Sequence, residues 1–327
     1  MFILKKLPSV EEVRSLAPLT DDLAMIKTKL DEQLKQNFIS KERFVVVCGP
    51  CAADDVVAVS QYLQQLSTLS EKYPRLLVVA RVYTTKPRSN GQGYKGMCFM
   101  PNGEIDIVTG LVNCRKMMLE SIQNGLPVAD ELLYPDLYPY FADLVSYWFV
   151  GARSSEDSLH RDFASGLDCC VDVKNATDGN IIRAVDSLYA VSHPSSFVLG
   201  DNLVSTQGCK MAHLVLRGGS NGEQFSSNLD EQSVSFATTL LQQNGLSFNI
   251  MVDISHANSA KIALNQIENA ATAAKNPNVF GIMAESYLFA GCKTGQFGVS
   301  KTDDCLSFAD TEKLFDIVNY VLATQRN

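Results

Sequence analysis

The sequence predicts a (β/α)8 TIM barrel preceded by an N-terminal helical arm. Eight short apolar runs recur along the chain, and most are separated by segments with helical periodicity. The runs are continuously apolar rather than alternating, which is typical of strands covered on both faces in a parallel sheet. We assign residues 1–40 to the arm and 41–327 to the barrel, with a doubly wound sheet as the alternative architecture.

The elements follow in order along the chain. The arm has apolar residues at helical spacing in EEVRSL and in DDLAMIKTKLDEQLKQ, which has an Asp-rich start. The predicted strands are FVVVCGP (44–50), LLVVARVYTTKPR (76–88), LPVADE (126–131), YWFVGAR (147–153), CCVDVKN (169–175), AHLVLRG (212–218), FNIMVDISHAN (248–258) and VFGIMAES (279–286). Intervening helices are predicted from VVAVSQYLQQLSTL, GLVNCRKMMLESIQ and AKIALNQIENAATAAK.

Composition and charge exclude several classes of protein. Hydrophobic residues make up 46% and charged residues 20%, as in a soluble globular protein. The net charge of −8 argues against nucleic acid and anionic membrane as partners. The start, MFILKKLPSVEEVRS, has too brief an apolar run for a signal peptide or a spanning helix. Nine cysteines, an odd number, fit reduced thiols, so we expect a cytoplasmic protein.

The ends of the predicted strands carry groups able to bind an anion or a metal. In a TIM barrel the C-terminal strand ends share one mouth, which holds the active site. For any single residue, a surface charge or a structural salt bridge is an equally good explanation, but the whole set favours a site. Its members are Cys51, Arg81, Lys86, Arg88, Glu131, Arg153, Lys174, Arg217, Asp253, His256 and Glu285.

The cationic side chains in this set predict an anionic substrate. So many like charges around one mouth would repel each other unless ligands with phosphate or carboxylate groups neutralised them. Arginine suits such ligands because its planar guanidinium binds both groups in a bidentate manner. Lys86 and Lys174 could act as point charges or, with a lowered pKa, as proton donors.

A second subset has the chemistry of a metal site. Cys51, His256, Glu285 and Asp303 offer sulfur, nitrogen and oxygen ligands, which together favour Zn²⁺, Fe²⁺, Mn²⁺ or Co²⁺ over Mg²⁺ or Ca²⁺. Their spacing is too scattered to be a zinc motif. Taken singly, Cys51 also fits a small buried hydrophobe and His256 a hydrogen-bonded loop residue.

With these residues in place, the sequence resembles the type I, feedback-regulated 3-deoxy-D-arabino-heptulosonate 7-phosphate (DAHP) synthases. The resemblance runs from about residue 7 to the end of the chain. It is carried by GPC (49–51), ARVYTTKPRS (80–89), GYKG (93–96), GLPVADE (125–131), VGARSSED with LHRDFASGL (150–167), VKNATDG (173–179), LRGG (216–219), VDISHANS (252–259), AES (284–286) and KTDDC (301–305).

The resemblance implies a reaction and a role for each matched residue. The family condenses phosphoenolpyruvate with erythrose 4-phosphate, as the first step of the shikimate pathway, and releases phosphate. The implied ligands of its divalent metal are Cys51, His256, Glu285 and Asp303. The groups implied to hold phosphoenolpyruvate are Arg153, Lys174 and Arg217, with Arg81, Lys86 and Glu131 beside them. Those implied to receive erythrose 4-phosphate are Lys86, Pro87, Arg88 and Ser89, with Arg153, Ser154 and Asp253.

Within that reaction, four residues are predicted to be catalytic. Lys86 would protonate the developing alkoxide, and Glu131 would stabilise positive charge or orient water. Cys51 and His256 would act through the metal, a Lewis acid on the aldehyde oxygen. This assignment also interprets the redox-like Cys48-Gly49-Pro50-Cys51 as a metal ligand that follows a strand residue. A Cys48–Cys51 disulfide that expels metal under oxidation is a separate hypothesis.

Several segments depart from the family pattern. Ala52 to Asp55 replace the usual Ser-Ile-His-Asp, the 98–110 loop is shorter, and Asp130 stands where glycine is common. The 197–213 segment is several residues short, so we expect weak or absent inhibition by aromatic amino acids. The alternatives are the same chemistry with another aldose phosphate, a catalytically silent regulatory homologue and, weakest, a thiol oxidoreductase. The resemblance also implies a homodimer or homotetramer, with subunit contacts through the arm.

Overall fold

A computed structural model describes residues 2–222, 224–293 and 295–325. Eight parallel strands close into a barrel, which confirms the predicted architecture, and four further strands form two separate hairpins. In chain order the strands are β1 Phe44–Gly49, β2 Leu76–Arg81, β3 Val128–Glu131, β4 Val145–Val150, β5 Cys170–Lys174, β6 Ser196–Leu199, β7 Asn202–Ser205, β8 Ala212–Leu216, β9 Gly219–Ser220, β10 Phe225–Ser226, β11 Ile250–Asp253 and β12 Val279–Glu285. The order around the barrel is β1, β12, β11, β8, β5, β4, β3, β2, and the hairpins are β6–β7 and β9–β10.

Helices surround the barrel and precede it. They are α1 Val10–Leu16, α2 Asp21–Ser40, α3 Val56–Glu71, α4 Ile107–Gln123, α5 Tyr138–Phe141, α6 Ser158–Ala164, α7 Ile181–Ser192, α8 Glu231–Gln243, α9 Asn265–Lys275 and α10 Phe308–Gln325, with one 3-10 turn at Pro135–Leu137. None of the helices in the described ranges has the length and apolar character that crossing a bilayer requires. All nine cysteines are free thiols.

Every residue of the eight barrel strands is buried, as the continuous apolar runs predicted. Alternate side chains fill the barrel interior with a cluster that includes Val47, Phe149 and Met251. Helix α2 closes the N-terminal end, where the ring of Phe38 lies 5.4 Å from that of His213. The interior below the mouth is therefore a packed core and not a channel.

The first helices are fixed by local capping and by one buried ion pair. Ser9 and Glu12 form a capping box at the start of α1. The fully buried guanidinium of Arg115 on α4 donates to the carbonyl of Ala17 at 3.0 Å and to both carboxylate oxygens of Asp143 at 2.7 and 2.8 Å. The end of α1 is thereby tied to the helical layer of the barrel.

Two local features refine the sequence analysis. Asp55, in the segment that departs from the family pattern, caps α3 by accepting hydrogen bonds from the amides of Val57 and Ala58, both at 2.9 Å. The predicted helix over 260–275 is wrong at its start, since α9 begins at Asn265. Ala260 and Lys261 have φ values of 51° and 61°, which a right-handed helix does not allow.

Candidate active site

A cavity of about 320 Å³ opens at the C-terminal ends of the barrel strands, where the strand-end residues were predicted to meet. Predicted site residues form most of its lining, and the remainder comes from neighbouring loop positions. The lining residues are Tyr83, Lys86, Pro87, Arg88, Ser89, Asn90, Glu131, Gly151, Ala152, Arg153, Lys174, Arg217, His256, Lys261 and Asp303.

The cavity is strongly positive although the protein is acidic. Its lining contains six Lys and Arg side chains against the carboxylates of Glu131 and Asp303, so the formal charge is +4, whereas the whole chain carries −8. A concave, partly desolvated surface of one sign concentrates ligands of the opposite sign. The arrangement therefore favours a ligand with more than one anionic group.

Three of the four predicted metal ligands converge beside the cavity. Cys51 Sγ and one carboxylate oxygen each of Glu285 and Asp303 lie within 4.8 Å of one another. His256 Nε2 lies 3.6 Å from Glu285 Oε1, so the fourth ligand stands at the edge of the group. The mixed sulfur, nitrogen and oxygen set fits a borderline divalent metal.

Lys86 extends into the same group. Its Nζ lies 2.6 Å from Cys51 Sγ and 3.3 Å from Asp303 Oδ2. Burial alone would lower the pKa of Lys86, but the charges of Cys51, Glu285 and Asp303 raise it above its usual value. Lys86 is therefore held as an ammonium group. The sequence analysis considered a lowered pKa for this lysine, whereas the structure gives a raised one. Burial raises the pKa of Cys51 to about 12.

Arg81 lies beneath the cavity and does not line it. Its side chain is 1% exposed, donates to the carbonyl of Pro50 and contacts Glu285 Oε1 at 3.1 Å. Ser255 donates to the other oxygen of Glu285 at 3.1 Å. The guanidinium thus supports the loop before Cys51 and Glu285, one of the predicted metal ligands.

Lys174, Asp253 and His256 form a second buried group. Lys174 Nζ and His256 Nδ1 both lie 2.9 Å from Asp253 Oδ2. Burial alone would raise the pKa of Asp253, but the charges of His256 and Lys174 hold it well below its usual range. Asp253 therefore contacts the lysine and the histidine as an anion, and it does not line the cavity.

Glu131 is held from two sides by groups that the sequence analysis did not single out. Its carboxylate accepts a hydrogen bond from the hydroxyl of Tyr83. Gly151, just after β4, lies against the same carboxylate, and a Cβ added to this glycine would lie only 1.8 Å from Glu131 Oε1. The sequence did offer a signal for Tyr83. It lies two residues after Arg81, and this spacing places both side chains on the same face of an extended segment.

The remaining predicted residues occupy the rim and the wall. Arg153 is exposed and its Nε donates to Ser89 Oγ at 3.1 Å, whereas Arg217 is buried, which lowers its pKa. Ser154 is buried and does not line the cavity. Lys261, missed from the sequence, enters the lining because its positive φ turns the chain after the SHANS segment.

The two cysteines of CGPC face different surroundings. The thiol of Cys48, in β1, lies 3.3 Å from the hydroxyl of Tyr62 on α3. The thiol of Cys51 lies 3.3 Å from Asp303 Oδ2. Burial raises the pKa of Cys48 to about 11, so its thiol is protonated at neutral pH. The disulfide between them stays a prediction, to be tested by measuring metal content after oxidant treatment.

Known proteins share the sequence and the fold of this chain. A model of the DAHP synthetase I family matches residues 27–314. The Tyr-sensitive phospho-2-dehydro-3-deoxyheptonate aldolase of Escherichia coli (strain K12) is 36% identical over 293 residues, which cover 83% of this chain and 80% of that protein. The Phe-sensitive enzyme of the same strain is 34% identical over 331 residues, covering 95% of this chain and 90% of that protein.

A solved structure agrees over the full length. The phospho-2-dehydro-3-deoxyheptonate aldolase of Francisella tularensis SCHU S4 superposes with a TM-score of 0.92 at 30% sequence identity, and the match covers 100% of both chains. The similarity therefore includes the helices before the barrel as well as the barrel itself.

Proposed function

The protein belongs to the DAHP synthetase I family and is an enzyme of that family, and we propose that it condenses phosphoenolpyruvate with erythrose 4-phosphate to DAHP and inorganic phosphate, at the entry to aromatic amino-acid biosynthesis. The observation that carries the proposal is the cavity with a formal charge of +4 beside converging metal-ligand side chains. Both substrates are phosphate esters, and phosphoenolpyruvate adds a carboxylate. A positive cavity with several arginines suits that pair.

The buried side of the cavity is proposed to hold phosphoenolpyruvate. Lys174 and Arg217 reach it from the ends of β5 and β8, and Arg153 reaches it from the loop after β4. Arginines bind phosphate and carboxylate groups in a bidentate manner, so they orient the enol as well as neutralise it. Holding both substrates in one cavity converts a bimolecular step into an effectively unimolecular one.

The segment Lys86 to Ser89 is proposed to receive erythrose 4-phosphate at the rim. Arg88 and Ser89 line the outer part of the cavity, and Arg153 is hydrogen-bonded to Ser89. The phosphate of the sugar would bind among these groups, with its aldehyde towards Cys51 and Lys86. As C3 of phosphoenolpyruvate forms a bond to the aldehyde carbon, the ammonium of Lys86 is positioned to give its proton to the aldehyde oxygen.

Cys51, His256, Glu285 and Asp303 are the residues that would hold a divalent metal, Mn²⁺, Fe²⁺, Co²⁺ or Zn²⁺. When bound, such a metal supplies Lewis acidity towards the aldehyde oxygen. Arg81 and Ser255 orient Glu285 from below. These contacts fix one carboxylate of the set before any ligand binds, which is how surrounding side chains tune a metal site.

Glu131 is proposed to act on the other side of the reaction. Positive charge develops at C2 of phosphoenolpyruvate as C3 attacks, and water adds there before phosphate departs with cleavage of the C–O bond. A carboxylate lining the cavity and fixed by the hydroxyl of Tyr83 can stabilise that charge or orient the water. The rigid attachment keeps the carboxylate at a constant distance from the reacting carbon.

Phosphate release from phosphoenolpyruvate plus erythrose 4-phosphate tests the proposal. We expect release that requires the aldose, rises with added Mn²⁺ and stops with a chelator. Cys51→Ala should lose bound metal, measured by elemental analysis, and lose activity at least 100-fold, roughly the effect of displacing one essential group. Cys169→Ala, at a half-buried cysteine outside the cavity lining, is the matched control and should keep both.

The same assay separates the remaining alternatives. Release with arabinose 5-phosphate but not with erythrose 4-phosphate would replace the acceptor in the proposal. No release with any aldose or divalent metal would favour a catalytically silent homologue. The retained cations and metal-ligand side chains support an active enzyme, because such a concentration of charge is unfavourable without a ligand.

A homo-oligomer stays a proposal, supported by the apolar start of the chain. Phe2, Ile3 and Leu4 are each more than 90% exposed, which is unusual for three consecutive large hydrophobic residues. A second copy of the chain that covers this segment would bury them. Analytical ultracentrifugation should give a dimer or tetramer for the full chain and a smaller species after removal of residues 2–8, and unchanged mass would contradict the proposal.

A further inference from the structure

Asp130 lies on the outer face of the barrel wall, directly behind the active site. Ala129 packs into the barrel interior and Glu131 lines the cavity, so the pleat of β3 turns Asp130 the other way. Its side chain is 1% exposed. Its partner in the neighbouring strand β4 is Trp148, which is also buried. Trp148 is the single tryptophan of the sequence.

The carboxylate of Asp130 accepts hydrogen bonds from both strand ends that border it. Its Oδ1 accepts from the amide of Thr84 at 3.0 Å and from the amide of Glu131 at 2.8 Å. Its Oδ2 accepts from the hydroxyl of Thr84 at 2.6 Å. One buried side chain therefore joins the segment after β2 to the end of β3 through three hydrogen bonds, each strengthened by the negative charge of the acceptor.

Those two segments carry the groups proposed to do the chemistry. Thr84 lies between Tyr83, which donates to the carboxylate of Glu131, and Lys86, whose Nζ contacts Cys51 Sγ. The amide of Glu131 is itself one of the donors to Asp130. The segments that carry the ammonium of Lys86 and the carboxylate of Glu131 are thus joined by a side chain that does not line the cavity.

The surroundings of Asp130 make its ionisation sensitive to pH near neutrality. Cys114 on α4, with Cys98 beside it, faces Asp130 from one side. Tyr134, Tyr138 and Trp148 share a small cavity with it on the other, and the carboxylate of Glu131 is next to it in sequence. None of these named groups is a cation. Burial accordingly raises the pKa of Asp130 to about 7, despite the hydrogen bonds from Thr84 and Glu131.

We propose that Asp130 is a positioning residue, whose ionised carboxylate holds Lys86 and Glu131 at their working separation by joining the two strand ends that carry them. This inference rests on the proposed function, in which Lys86 and Glu131 act on opposite ends of the new bond. Protonation of Asp130 weakens the charge-assisted hydrogen bonds and loosens both segments together. The enzyme should therefore lose catalytic rate as the pH falls through the pKa of this one group.

The first experiment compares pH profiles of Asp130→Asn and the wild type. In the wild type, kcat should rise between about pH 6 and about pH 8. Asp130→Asn keeps the shape of the side chain but removes its negative charge, so the hydrogen bonds from the amides of Thr84 and Glu131 lose their charge assistance. Its kcat should fall about 10-fold to 100-fold, more than KM changes, and show no rise over this range. Asp136→Asn, at an exposed carboxylate on the next turn of the chain, is the matched control and should keep the wild-type profile.

The second experiment needs no substrate. Because Trp148 is the only tryptophan and lies beside Asp130, its fluorescence should titrate with a midpoint near pH 7, the pKa of Asp130, in the wild type and in Asp136→Asn. The titration should be lost in Asp130→Asn. No titration in the wild type, or an Asp130→Asn enzyme with the wild-type kcat and pH profile, would overturn the positioning role. A wild type that titrates but releases no phosphate would instead overturn the proposed function.

Discussion

Replacing Gly151 by alanine tests the position of Glu131 with a single methyl group. The added Cβ would lie 1.8 Å from Glu131 Oε1 and 2.9 Å from its carboxyl carbon, whereas real Cβ contacts are essentially never shorter than 3.0 Å. The carboxylate oxygen must therefore move by at least 1.2 Å, the difference between 3.0 and 1.8 Å. Gly151 does not have a positive φ, so the backbone itself tolerates alanine.

The displacement acts on chemistry rather than on folding. The other oxygen of Glu131 accepts a hydrogen bond from the hydroxyl of Tyr83, so a carboxylate that moves away from the methyl group distorts or loses that bond. A misplacement of this size lowers kcat/KM by about 100-fold, or about 2.7 kcal/mol in transition-state stabilisation. We expect this loss for Gly151→Ala in the phosphate-release assay, with a melting temperature close to that of the wild type.

A double-mutant cycle identifies the cause of that loss. In a Glu131→Ala background the methyl group meets no carboxylate, so adding Gly151→Ala should change kcat/KM less than about threefold. An equal loss in both backgrounds would show that the methyl group acts on the substrate and not on Glu131. A single variant that keeps more than a third of wild-type activity would refute the assignment of Glu131 altogether.

Three further predictions concern stability and regulation. Asp172 is fully buried, its carboxylate has no hydrogen-bond partner among the described residues, and burial raises its pKa well above the usual value. Because the unfolded chain ionises at the usual carboxyl pKa while the folded chain keeps its proton, wild-type stability falls as pH rises above that pKa, by at most about 1.4 kcal/mol per pH unit, and Asp172→Asn should gain on the wild type over the same range in urea unfolding. Arg115→Met removes the donor to the carbonyls of Ala17 and Tyr140 and leaves Asp143 only its ion pair with Arg14 at 3.5 Å, so it should cost about 3 kcal/mol in the same assay, with faster proteolysis near Ala17. Micromolar Phe or Tyr should inhibit weakly or not at all, since the β6–β7 hairpin is short, and strong inhibition would contradict this.

Most of the barrel could be predicted because its strands are buried on both faces. Runs such as FVVVCG and LLVVAR show no alternation of apolar and polar residues, because both faces of each strand are buried. The polar residues that follow such runs mark where each strand leaves the barrel. The start of α9 could not be predicted, because alanine and lysine residues rarely adopt positive φ and nothing in their side chains announces it. The same turn brings Lys261 to the cavity. Because residues 260–264 were predicted to be helical, Lys261 was not among the predicted site residues.

The identities of the site residues could be predicted, but their pairings could not. Arg81 with Glu285 and Asp130 with Thr84 are separated by 204 and 46 residues and meet only through the register of the closed sheet. Whether a strand-end side chain faces the cavity, as Glu131 does, or the helices, as Asp130 does, depends on the pleat at one position. The pleat therefore separates Glu131, which is proposed to act on the substrate, from Asp130, which is proposed to position Glu131 and Lys86.

The charges of the barrel mouth form two tiers with opposite effects on stability. In the lower tier Arg81 pairs with Glu285 and Lys174 with Asp253, and removal of either partner would take away one counter-charge of a buried group. In the upper tier the cavity lining without Lys174 keeps a charge of +3, from five Lys and Arg side chains against Glu131 and Asp303. The charge of Arg153 lowers the pKa of the buried Arg217 in addition to the effect of burial. The lower tier therefore serves folding as well as function, whereas the upper tier destabilises the free enzyme and is relieved only when anions bind. Loss of an upper-tier arginine should accordingly weaken substrate binding without weakening the fold, a separation that a purely structural set of surface charges would not produce.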